Sequence, residues 1–94
     1  MSQDGLAATI DVRQFVPAVK HLTIFAVWNA LSGGCRMRLI NDHDPKPLYY
    51  QLAAEYPDQF AWSYRESGPD IWEVEIEKRA QAGRARADRQ ASAP

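Results

Sequence analysis

The stretch "NDHDPKP", from Asn41 to Pro47, sets an imidazole between two carboxylates and follows them with two prolines. Histidine beside aspartate can hold a metal, move a proton or bind an organic ligand, since imidazole is the side chain that titrates near neutrality. Two further groups belong with it. Arg13 ends a first strand-like segment, and His21 lies near the start of the helix-like segment that follows. If the two early strands run parallel, their carboxyl ends share one edge, where open α/β sheets keep their ligand crevice. Arg13, His21, Asp42, His43 and Asp44 then form a common rim and are the candidate ligand-binding residues. His43 and His21 are the candidate metal ligands, in a set of donors acceptable to zinc or iron. Their spacing is no recognised metal motif.

Other chemistry is poorly supported. Cys35 opens a strand on its inward side, a setting in which thiols are inert. Ser63 and Ser67 have no evident histidine partner, and "SGG" at 32–34 follows a helix where a phosphate loop would precede one. No residue is assigned a catalytic role, and the chain reads as a binding module sooner than an enzyme.

The elements that must carry the rim follow from periodicity. "ATIDV" (8–12), "CRMRLIN" (35–41), "FAWSYRE" (60–66) and "IWEVEIE" (71–77) alternate apolar with polar residues and read as strands. "PAVKHLTIFAVWNAL" (17–31) has Ile24, Val27, Trp28 and Leu31 on one helical stripe, with Leu22 and Phe25 beside it. "PLYYQLAAEY" (47–56) places Leu48, Leu52 and Tyr56 four apart, a second helix closed by Pro57. Much of "NDHDPKP" is then strand-to-helix punctuation: Asp44 is expected as the helix N-cap, and Asn41 or Asp42 as a turn former. His43 is left over.

The order is βαβαββ. Alternating strands imply a sheet with one buried face, which both helices must cover. The opening βαβ unit is right-handed, so the first two strands are parallel. Arg36 and Arg38 on the second strand match Glu73, Glu75 and Glu77 on the last, which makes those strands neighbours. The expectation is an α+β two-layer sandwich, a four-stranded mixed sheet of order 1-2-4-3 with two helices on one face.

Ninety-four residues hold a single core, burying on the order of 60–65 % of the extended surface. One cysteine excludes an internal disulfide and points to a reducing compartment. "MSQDGLAATI" shows no secretory pattern, and "LTIFAVW" is too short to span a bilayer, so a cytoplasmic location is expected. Residues 1–77 carry six basic and eleven acidic side chains, whereas 78–94 carry five basic and one acidic. The domain is placed at 1–79, and 80–94 is read as a disordered basic tail with little to bury. A nucleic-acid role for that tail is the weakest alternative, because five spaced charges neutralise few phosphates.

"LAATIDVR", the P-x-x-K-H of 17–21, "INDHDPKPLYYQL" and "GPDIWEVEI" resemble the bacterial family called domain of unknown function twenty-two forty-nine, over roughly residues 6–78. The family is similar to the TusA/SirA-like sulfur carriers, whose βαβαββ fold agrees with the order above. Those carriers use a Cys-Pro-x-Pro motif at the start of the first helix. The equivalent "RQFVPAVKH" keeps a proline and lacks the cysteine, so the resemblance carries no sulfur relay to that position. It implies an accessory module in redox or nitric-oxide-related metabolism, in the company of hemerythrin-like or other redox proteins. A metal- or haem-linked role for His43 and His21 is the alternative.

Overall fold

A computed structural model describes residues 5–80. Its elements are β1 (Leu6–Asp11), α1 (Pro17–Ala30), β2 (Arg36–Asn41), α2 (Lys46–Glu55), β3 (Phe60–Ser67) and β4 (Trp72–Lys78). The sheet order is β1-β2-β4-β3, with β1 parallel to β2 and β4 antiparallel to both its neighbours. The expected α+β architecture is therefore present. Residues 81–94, and with them the expectation of a disordered tail, lie outside the described residues.

Alternation sets the two faces of the sheet. Met37 and Leu39 of β2 pair with Ile76 and Val74 of β4, and all four are fully buried. Ile24 and Trp28 of α1 and Leu52 of α2 close over them in one core with Phe60. Burying each such side chain contributes about 1.5–3 kcal/mol. Trp28 meets Phe60 edge-on at 6.4 Å, and Tyr49 of α2 meets Trp62 of β3 at 5.3 Å, so both helices cover the same face.

On the opposite face Arg38 lies across from Glu75, and Arg36 from Glu77, as the charge pattern requires. The ion pairs converge on one carboxylate. Glu75 accepts from Arg36 Nε at 3.0 Å and from Arg38 Nη2 at 2.6 Å, and Arg38 Nε also reaches Glu73 at 3.1 Å. Glu75, expected in water, is only 9 % exposed because the arginine stems lie over it. Burial alone would raise its pKa; the Arg38 hydrogen bond and the charges of Arg36, Arg38 and Arg65 more than reverse this and lower it.

Three local expectations need correction. Leu22 is 69 % exposed, since two residues are about 200° around a helix and place it opposite Ile24. Cys35 precedes β2 and is half-buried, with its N–H donating to Ser32 O in the turn. Asp44 is not the N-cap of α2. That position is Pro45, whose carbonyl accepts from Leu48 and Tyr49, and no described side chain caps the helix.

Candidate ligand groove at the carboxyl edge of the parallel strands

Because β1 and β2 are parallel, both chain segments leave the sheet at the same edge, and α1 and α2 both start there. Neither helix has an acidic residue in its first turn or a side-chain cap. Their N-terminal amides and the positive ends of their dipoles are left without an anionic partner from the first turns. Between the two helix starts lies a groove of about 280 Å³. Pro17, Pro45 and Pro47 form stiff walls, and Ile24, Leu39 and Leu48 form an apolar floor. Four of its polar side chains are Lys20, His21, Asn41 and His43.

The two histidines come together as the rim argument requires: His21 from α1 and His43 from the loop after β2 line one concave surface. His21 also stacks on Phe25, centroids 4.8 Å apart. His43 shares a 2.7 Å hydrogen bond between Nδ1 and Asp42 Oδ1. That bond, with some help from the charges of His43 and Lys20, holds the Asp42 carboxyl below its ordinary value despite partial desolvation. A carboxylate accepting at Nδ1 selects the tautomer that leaves Nε2 free to meet a ligand. Asp42 thus acts on the groove through His43 and does not line it.

Arg13 and Asp44 are elsewhere. Arg13 folds back on Asp11, with Nε to Oδ1 at 2.8 Å and Nη2 to Oδ2 at 2.6 Å. That hydrogen bond, with one from the Arg13 amide, lowers the Asp11 carboxyl to about 2. The cause is local sequence: two residues apart, the pair closes a turn on the strand end and takes the guanidinium with it. Asp44 accepts from Tyr64 Oη at 2.7 Å, tying the loop to β3 on the far side of α2.

Three polar groove residues, Lys20, Asn41 and Gln51, were not picked out from sequence as ligand contacts. Lys20 Nζ donates to Asn41 Oδ1 at 3.2 Å, and Asn41, 3 % exposed, also accepts from the Asp42 amide at 3.0 Å. The signal was present in P-x-x-K-H, where Lys20 lies one turn beyond Pro17 on the same helix face. Asn41 alternates with Met37 and Leu39 and so had to point inward, a buried polar group in need of a partner.

Among the described residues no group of three or more His, Cys, Asp or Glu side chains is gathered as a metal would need. No described helix is long and apolar enough to cross a membrane.

Fold and groove together define a small two-layer α+β domain with a ligand-sized recess where its parallel strands end. The chain belongs to the family described as uncharacterized conserved protein (DUF2249), whose model matches residues 9–78. No curated protein and no solved structure matches it.

Proposed function

We propose that this domain is a non-enzymatic binding module whose site is the groove between His21 and His43. The observation that carries the reading is convergence: two imidazoles from different elements, Lys20 and Asn41 line one recess with an apolar floor. A few placed polar groups over an apolar surface are what small-molecule sites have in common. Among the described residues that line it the groove has neither cysteine nor serine, so it offers no thiol or serine hydroxyl nucleophile. The sulfur-carrier resemblance supports the location. The start of α1, where such carriers keep their cysteine, is here Val16–Pro17, and Pro17 is a groove wall. Cys35 is no substitute, because the six residues of β2 place it at the other end of the strand, about 20 Å from the groove.

The Asp42–His43 pair favours a second reading, in which His43 Nε2 and His21 bind iron or haem as part of a redox accessory. Two imidazoles are fewer protein ligands than a structural or catalytic zinc site has, so a partner or exogenous group would complete the set.

Backbone chemical-shift titration of the isotope-labelled chain against zinc, ferrous iron, haem, sulfane sulfur, nucleotides and small acids tests both readings. The expected result is saturable perturbation confined to the groove. A ligand whose perturbations map to the Tyr49–Trp62 face or to the Arg36–Glu75 face would move the site away from the histidines. Metal content of untagged protein separates the second reading from the first.

A further inference from the structure

We infer that the ligand held in this groove is a small organic acid with a compact apolar body, bound through its carboxylate; the inference rests on the groove being the binding site proposed above. The hydrogen-bonding balance of the groove carries it. Asn41 Oδ1 lies near Lys20 Nζ and the Asp42 amide, both of which can only donate, so the oxygen is fixed there and Nδ2 is the outer atom. No described residue accepts from that Nδ2, although Asn41 is 3 % exposed. Among the described residues the fully buried polar side-chain atom without a partner is Trp28 Nε1, so Asn41 Nδ2 is within reach of the groove, an open donor for a ligand that brings an acceptor.

The neighbouring groups add donors. Lys20 gives one of its three protons to Asn41 and keeps others for the groove. Among the described residues no carboxylate lines the recess: Asp42 is turned to His43 Nδ1 and Asp44 to Tyr64. A cationic ligand would find no counter-charge there. A neutral carbonyl oxygen accepts from both groups but brings no counter-charge for Lys20. A carboxylate oxygen pair meets both, while Ile24, Leu39 and Leu48 receive an aliphatic body. At about 280 Å³ the groove lies just under the ~300–1,000 Å³ that bury drug-sized ligands, which limits the acid to a short chain.

The experiment titrates the full native chain with isobutyrate and, separately, with isobutyramide, following backbone amides and the Asn41 side-chain NH2. The expected result is saturable binding of isobutyrate that moves the Asn41 side-chain pair and the Lys20 amide, with isobutyramide at least tenfold weaker. Lys20→Met, which keeps the stem and loses the charge, should weaken isobutyrate at least tenfold; the acid-against-amide comparison needs no variant to fold. Equal binding of acid and amide overturns the carboxylate inference and leaves the groove as a site. Isobutyrate binding that leaves the Asn41 NH2 unmoved also overturns it. Should neither probe move a groove residue while zinc or haem does, the acid is the wrong ligand class for an intact site. A silent groove with every probe removes the binding reading as well.

Discussion

Tyr64 Oη donates to Asp44 Oδ1 at 2.7 Å, and that bond joins the loop before α2 to the edge strand β3. It engages the residue that sequence position marks as a helix cap, and so leaves the start of α2 uncapped beside the groove. The loop carrying His43 is held by a strand two elements away.

This relationship gives the first prediction. Tyr64→Phe and Asp44→Ala should each cost about 0.5–1.5 kcal/mol, the ordinary net worth of one hydrogen bond. In the Tyr64→Phe background, Asp44→Ala should fall within roughly half a kcal/mol of neutral. A denaturant-melt double-mutant cycle checks it. If Asp44→Ala costs the same in both backgrounds, the carboxylate acts as a cap after all.

The acid limb of stability is the second. Glu75, Asp11 and Asp42 all have folded-state pKa values below their ordinary ones. Unfolded chains therefore bind more protons than folded ones across that interval, and stability falls as pH falls. The contribution is complete above about pH 4.5, the ordinary Glu75 value, and is lost downward toward the Asp11 value of about 2. Glu75→Gln should flatten the upper part of this limb and cost about 1–3 kcal/mol at neutral pH, since Arg36 and Arg38 lose their shared carboxylate. An unchanged pH profile of the melting midpoint would rule Glu75 out as its source.

The sheet order was legible because it is written in charge. Arg36 and Arg38 can find Glu73, Glu75 and Glu77 only if β2 and β4 are neighbours, and alternation on each strand fixed which face was buried. The misplacements came where two local rules competed for one residue. Asp44 suits a cap by position, yet a partner 20 residues away claims it. Arg13 suits a rim by topology, yet an acid two residues back claims it at shorter range. The histidines arrived where the parallel-strand edge puts them, since Asp42 engages His43 at Nδ1 without drawing it out of the groove. Lys20 and Asn41 depend on each other across 21 residues, a pairing that periodicity does not encode.

Cys35 supplies the third prediction. Half-buried against the core, with its backbone held by Ser32 and Lys78, its thiol should alkylate slowly at neutral pH until the domain is denatured. Labelling of native protein as fast as of unfolded protein, or a persulfide retained through purification, would bring back the sulfur-carrier chemistry.

The fourth concerns the chain end. Arg79 is integral: its amide donates to Gln59 O at 3.0 Å and its Nε to Phe60 O at 3.1 Å. Removing residues 81–94 should leave the thermal midpoint within a few degrees, whereas Arg79→Ala should cost about 0.5–1.5 kcal/mol. Calorimetry of the two variants checks this, and the reverse ranking would place a structural element beyond Ala80.

The central claim, that His21 and His43 serve one site, is tested most directly by following both imidazole rings in histidine-labelled protein while each ligand of the titration panel is added. Any ligand that shifts the His43 ring should shift the His21 ring with the same saturation curve. His43→Ala should abolish the His21 response while changing stability by no more than roughly half a kcal/mol. A ligand that moves one ring and leaves the other still, or a His43→Ala variant that unfolds yet binds as before at low temperature, would contradict the account.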